Sequence, residues 1–291
     1  MQNTQLLKFF IILHFIIVSN VSFAKTSYTQ NELTNEAKHT INYLSQKYAN
    51  QRNLSTGELI IKVALEFLDK PYVGNTLEIN KKENIILNLS QFDCTTFAEN
   101  CLAISRVIKS KSKTKNLKTF KKELTTIRYR SGNLKGYTSR LHYFSDWIYD
   151  NEQKKIVKNI SCELGAFAFN NYVDYMSVNS AKYKMLANKS KDIYKTKIIE
   201  DKISKRNSCY IPKNELVKYE HEILDGDIIG ITTKIPGMDM AHVVLAYHQN
   251  GQLHIIHASL KHKKVVISNE TLQEYLMNRE DATGIMVARP I

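Results

Sequence analysis

The chain has 291 residues, 43% of them hydrophobic, with four cysteines and a formal net charge of +13. That composition suffices for a core of ordinary size in one large domain or two small ones, and it excludes a disulfide-built scaffold. The charge gives a salt-sensitive attraction to an anionic envelope polymer or membrane face, or else simply a basic, soluble surface.

The N-terminus, "MQNTQLLKFFIILHFIIVSNVSFAKTS", has one lysine, Lys8, then an apolar run, then the small residues Ser22 and Ala24 before Lys25. This is the pattern of a secretory signal peptide over residues 1–24. The run is broken by His14, Ser19 and Asn20 and is short for a membrane anchor. No cysteine follows it to carry a lipid, and no later stretch is apolar enough to span a bilayer. The protein is therefore expected to be exported, periplasmic or secreted, with no stable membrane insertion after signal cleavage. It is expected to be a monomer with no nucleic-acid partner. Residues 25–291 are expected to form a single domain with a helical N-terminal part.

Helices are predicted over 30–49 and over 56–69, where "TGELIIKVALEFLD" has clear apolar periodicity and "DKPY" stops it. A third is predicted over 95–109, with Phe97, Cys101, Ile104 and Ile108 in one apolar stripe. The run "KSKTKNLK" reads as a solvated face or loop. From residue 226 onward the segments "GDIIGITT", "HVVLAYHQ", "QLHIIHAS", "KVVIS" and "GIMVARP" are short and β-branched, a meander of antiparallel strands. Helices followed by strands give an α+β domain.

Cys94 stands at the start of the third helix, after Asp93 and before Thr95, Thr96 and Glu99. Acidic and hydroxyl residues suit a helix N-terminus, and a thiol there sits at the positive end of the dipole, which favours the thiolate. The free N–H groups of that turn suit an oxyanion. A disulfide, a metal site, a packed core thiol and a nucleophile all remain open for this residue. Cys101 lies in the apolar stripe and reads as core. It is about 10.5 Å along the axis from Cys94, too far to pair with it. Cys162 and Cys209 can pair in an oxidising compartment, although sequence alone does not fix connectivity.

A nucleophilic thiol needs a base, usually histidine. "AHVVLAYHQNGQLHIIHASL" carries four, with Asn250–Gly251 between two β-rich runs as a strong hairpin signal. A two-residue turn pairs Gln249 with Gln252. It then faces His257 with Val244 and His254 with Tyr247, so His242 and His257 share one face and His254 takes the other. His242 and His257 become diagonal neighbours at roughly 7–8 Å. His248 lies roughly 20 Å from His242 along the strand. A turn longer by one residue reverses the faces. The cysteine spacing does not match common structural zinc motifs, and no cofactor or metal is expected.

"FDCTTFAEN", followed downstream by "GDII", "HVVLAY" and "HAS", resembles the NlpC-type superfamily of papain-like cell-wall cysteine hydrolases. The resemblance implies a papain-like α+β fold with the nucleophile helix packed on a small antiparallel sheet and extra helical insertions. It also implies Cys94 as nucleophile, His242 as general base and His257 as the third residue. "KPYVGNTLE", "GYTSRLHYFSDWIYDN" and "GMDMAH" extend the likeness, over most of residues 55–290, to the branch of N-acetylmuramoyl-L-alanine amidases. Met238 stands where that branch often has leucine. The branch implies cleavage of the lactyl–L-alanine amide of peptidoglycan fragments, muropeptides and their anhydro forms in particular, through a cysteine thioester.

Four further residues are candidates for substrate binding. Arg140 has a fork suited to a carboxylate or sugar oxygen. Tyr143 and Trp147, four apart, suit stacking on a sugar if they are not core. Asp239 is a candidate for the cleft rim or a turn residue after Gly237. His142 reads as structural. Two alternatives stand beside the amidase: an endopeptidase cutting the stem peptide, and a non-catalytic wall-binding protein.

Overall fold

The computed structural model describes residues 28–111, 114–165 and 167–291, so the expected signal peptide lies outside the described residues. The chain opens with α1 (Gln30–Lys47) and α2 (Thr56–Leu65). Each begins at a capping box, Thr29 with Glu32 and Ser55 with Glu58, in which side chain and backbone satisfy each other's free amides. Helix α2 ends four residues earlier than its periodicity predicts. The chain passes into three-residue turns and reaches Asp69 at φ 65°, a left-handed conformation that ends the helix before Pro71.

Helix α3 (Cys94–Lys109) starts at Asp93, whose carboxylate accepts from the Thr96 amide at 2.8 Å while Thr96 Oγ1 accepts from the Asp93 amide at 3.0 Å. Its far end is closed by Lys115, whose Nζ donates to the carbonyls of Val107 (3.0 Å), Ile108 and Ser110 (2.8 Å). Part of the run expected to be solvated thus caps α3. Then come α4 (Leu117–Arg128), α5 (Phe144–Gln153), β1 (Val157–Asn159), α6 (Ser161–Leu164), β2 (Phe167–Ala168), α7 (Tyr175–Val178) and α8 (Ser190–Ser204). The rest is β3 (Cys209–Pro212), β4 (Ile228–Thr233), β5 (Met240–Gln249), β6 (Gln252–Ser259), β7 (Lys264–Ile267), α9 (Leu272–Met277) and β8 (Ala282–Pro290).

The strands form one antiparallel sheet in the order β2-β3-β8-β4-β5-β6-β7, with β1 also paired to β8. The α+β class and the antiparallel strands after residue 226 agree with the sequence reading, but the simple meander does not. After β7 the chain returns through α9, and β8 inserts between β3 and β4. Strands β1, β2 and β3 precede residue 226 and are two to four residues long, too short to show a period in sequence.

Each face of the sheet carries its own core. Val243, Leu245, Ile256, Ala258 and Val265 pack with α1–α5, and Val244, Ala246, Leu253 and Ile255 pack with Leu272 and Leu276 of α9. The faces alternate as side chains on a strand must. Helix α3 is fixed against its neighbours by a buried ion pair. Glu99 and Arg128 are both 2% exposed and bonded at 2.7 Å, Trp147 Nε1 donates to Glu99 at 3.2 Å, and Arg128 donates to the Ile86 carbonyl at 3.2 Å. Among the described residues no helix is long and apolar enough to cross a membrane.

Cys162 of α6 and Cys209 of β3 form a disulfide, with Cα atoms 5.0 Å apart and a separation of 47 positions in sequence. Closing such a loop contributes about 4 kcal/mol in the chain-entropy account. Replacing both cysteines with serine is expected to lower the melting temperature by roughly 10 °C. Differential scanning fluorimetry of the double variant, and of the native protein with and without reductant, measures this. An unchanged melting temperature after both sulfurs titrate as free thiols would contradict it.

Candidate active site

The two-residue turn at Asn250 and Gly251 has φ of 53° and 79°, the left-handed values that a tight hairpin needs. It pairs Gln249 with Gln252, Tyr247 with His254 and Leu245 with Ile256, the register read from the sequence. His242 and His257 therefore share the sheet face that carries α9. His242 Nε2 and His257 Nδ1 are 2.6 Å apart, with ring centroids at 4.9 Å. His254 is on the other parity, with Nδ1 3.0 Å from the Ser268 carbonyl. His248 is held by Asp225, 2.8 Å from its Nδ1.

Two irregularities open the sheet where these imidazoles lie. The β5–β6 pairing runs no further than Leu245 and Ile256. On the other side, β4 pairs Ile231 with His242 but Thr232 with Met240, so Ala241 is an extra residue. Such a bulge re-aims the side chains that follow it, and here Met240 and Val243 reach the same core although three residues apart. Cys94, at the mouth of α3, enters this opening, where the Val243 amide is close enough to favour the thiolate slightly. Cys94, His242 and His257 line one cleft of about 550 Å³ with Tyr72, Ser259, Tyr275 and Arg279.

The charge state differs from the sequence expectation. Burial, and then the Asp93 carboxylate, push the Cys94 thiol up to about 11, against the smaller opposing effects of the Val243 amide and Thr95. Burial holds His242 well below the usual imidazole range, helped by His257 and Arg279. Burial also pushes His257 down to about 4, with His262 and Arg279 adding to it. The resting pair at neutral pH is thus a thiol beside neutral imidazoles. The positive end of α3 does not outweigh desolvation and the adjacent acid.

The four expected substrate-binding residues are elsewhere. Arg140 is 5% exposed and paired with Glu78 and Glu83 over the Tyr137 ring. Tyr143 donates to Glu200 at 2.6 Å, and Trp147 is fully buried, stacked on Phe144 at 4.8 Å. Asp239 accepts from the Ser145 amide in the first turn of α5 at 2.7 Å and from the Met240 amide. None of these lines the cleft, and Trp147 has no face free for a sugar. All four tie helix α5 and its approach to neighbouring elements. His142 is structural as expected, bonded to the Tyr137 carbonyl at 2.9 Å.

The sequence reading passed over Tyr72, Tyr275 and Arg279. Tyr72 comes from "KPY", pinned by its amide to the Lys263 carbonyl at 2.8 Å. The Tyr275 ring lies 6.3 Å from His242 and 5.5 Å from His257. A usable signal existed: "TLQE" at 271–274 is a capping box, and Tyr275 and Arg279 lie four apart after it. No group of three or more potential metal ligands occurs among the described residues.

The sequence profile of the AmiA-like family, described as N-acetylmuramoyl-L-alanine amidase-like, matches residues 62–285. A Bacteroides uniformis structure named as an N-acetylmuramoyl-L-alanine amidase is 36% identical, with TM-score 0.77, covering 81% of this chain and 99% of that one. A Bacteroides fragilis structure carrying a provisional xylanase name is 36% identical, with TM-score 0.73 over 78% of this chain and 98% of that one. A Legionella pneumophila protein at 19% identity shares the fold, with TM-score 0.66 over 90% and 97%. No curated protein matches the chain.

Two outcomes follow from the geometry. Arg128→Ala leaves the Glu99 carboxylate buried and unpaired, so chemical denaturation should show a loss of about 3–5 kcal/mol, whereas Trp147→Phe should lose only about 1–2 kcal/mol and leave KM for any substrate unchanged. For the thiol, alkylation of Cys94 by iodoacetamide should accelerate about tenfold per pH unit from pH 6 to 9, because the thiolate fraction rises in that proportion below a raised pKa. A rate already at its plateau at pH 6 would show a preformed thiolate instead.

Proposed function

We propose, from the premise that the chain belongs to the AmiA-like, N-acetylmuramoyl-L-alanine amidase-like family, that it is an exported cell-wall amidase with Cys94 as nucleophile. The observation that carries this reading is the 2.6 Å imidazole–imidazole bond between His242 and His257 in the cleft that also holds the Cys94 thiol. The substrate is the amide joining the lactyl group of N-acetylmuramic acid to L-alanine in peptidoglycan fragments. A nucleophile at a helix N-terminus, facing two imidazoles on an antiparallel sheet, supports assigning the fold to the papain-like NlpC superfamily.

Because His257 occupies Nε2 of His242, Nδ1 is the nitrogen left to serve the thiol. With thiol and imidazole both neutral at rest, His242 takes the proton as Cys94 attacks the lactyl carbonyl, which is general-base catalysis rather than use of a stored thiolate. The developing imidazolium keeps its Nε2 proton on His257 Nδ1, so His257 both orients and stabilises it. Free amides at the start of α3 face the developing oxyanion, and Tyr72 lines the same cleft. His242 then gives its proton to the departing L-alanine amine, leaving a lactyl thioester. Water deprotonated by His242 hydrolyses the thioester and restores the thiol.

The provisional xylanase name of one relative fits the cleft less well. Glycoside hydrolysis needs a pair of carboxylates, and Glu270 is the one acidic residue among the described residues that line it. Digestion of a purified anhydro-muropeptide, read by mass spectrometry, tests the proposal. The expected fragment is an intact stem peptide beginning with L-alanine, absent with Cys94→Ala. An L-Ala–D-Glu dipeptide would identify an endopeptidase, and undiminished hydrolysis by Cys94→Ala would remove the thiol from the mechanism.

A further inference from the structure

The cleft also carries cationic side chains that no step above uses: Arg279 and Lys261 line it, as does His262. Arg279 Nη1 donates to the Tyr275 hydroxyl at 3.1 Å, and its guanidinium lies 5.5 Å from the Tyr275 ring centroid. That ring packs on both imidazoles, so Arg279 stands one aromatic ring away from them, and its charge acts on both. The pairing of Arg279 with Asp281 is loose, 3.3 Å with both side chains about a third exposed. Each Nη of Arg279 makes one such bond and carries a second N–H, whereas its Nε is buried without a partner. Glu270, which accepts from Asn278 at 3.2 Å, is the one carboxylate among the described residues that line the cleft, against Arg279 and Lys261.

The position of Arg279 relative to the chemistry says which part of a substrate it meets. An imidazole that protonates a departing amine must have the leaving group across its face. Arg279 reaches the site through Tyr275, whose ring packs on both imidazoles, whereas the acyl part of the substrate is held at the thiol. We propose that Arg279, braced by Tyr275, binds a carboxylate of the leaving peptide and selects substrates whose residue after L-alanine keeps a free α-carboxylate. A guanidinium suits this role because its fork matches a carboxylate in both geometry and charge. The inference rests on the amidase reading of the same site.

The test compares N-acetylmuramoyl-L-Ala–D-Glu with the same compound amidated at the glutamate α-carboxyl. It uses the native protein, Arg279→Gln and Arg279→Lys, and calorimetric binding of the L-Ala–D-Glu dipeptide and its α-amide to each. The native protein should prefer the acid on the order of tenfold in kcat/KM, mostly through KM. Arg279→Gln should bring that ratio close to one, and Arg279→Lys should keep part of it. The acid dipeptide should bind more tightly than its amide by a similar factor. Equal kcat/KM and equal dipeptide affinities in the native protein would overturn the inference and leave the amidase reading intact. If neither substrate is cleaved but Arg279 still discriminates the dipeptides, the binding site stands and the amidase reading falls. If neither is cleaved and neither dipeptide binds, both fall.

Discussion

The ion pair between Glu99 and Arg128 is the contact on which the placement of the thiol depends. Both side chains are almost wholly removed from water, where an uncompensated charge is very costly. Each is therefore matched twice: Glu99 by Arg128 and Trp147, Arg128 by Glu99 and the Ile86 carbonyl. These bonds join α3 to the last residue of α4, to α5 and to the segment that leads into α3. Cys94 lies five residues before Glu99 on the same helix, so the network fixes the axis that carries the sulfur into the cleft. The residues from the most distinctive sequence stretch, around Trp147, serve this support.

The second constraint is an opening in the sheet. A closed β5–β6 ladder would satisfy every strand amide and leave no approach for a helix N-terminus. Here the pairing stops at Leu245 and Ile256, Ala241 bulges out of register with β4, and the Val243 amide lies close to the Cys94 sulfur. The two imidazoles stand at this break, covered by Tyr275. The cover is what sets the protonation states. It buries His257 and partly screens His242 and Cys94 from water, which disfavours the charged form of each.

Burial also separates scaffold from cleft. Arg140, Tyr143, Trp147 and Asp239 are polar or aromatic residues in close sequence company, which is how binding residues often look. Each proves to be tied to protein by at least one polar bond. The residues that do line the cleft come from places that look plain in sequence: a tyrosine after Pro71, and a tyrosine and an arginine around the end of a six-residue helix. Sequence proximity draws attention to clusters, whereas a cleft is assembled from the ends of separate elements.

The sequence by itself determined the local elements and the parity of the hairpin. Capping boxes mark the starts of α1, α2 and α9, Asp93 marks the start of α3, and Asn250–Gly251 fixes a two-residue turn, so His242 and His257 had to share a face and His254 had to leave it. These are short-range consequences of backbone geometry, written in neighbouring residues. Tertiary structure alone decided the rest. It inserted β8 between β3 and β4, joined Cys162 to Cys209, brought α9 over the imidazoles and set the half-buried thiol beside Asp93. The opposing influences on the thiol are the clearest case. The dipole of α3 is a property of the helix and can be read locally, but desolvation depends on what the rest of the chain packs around the sulfur, and at Cys94 that larger effect prevails.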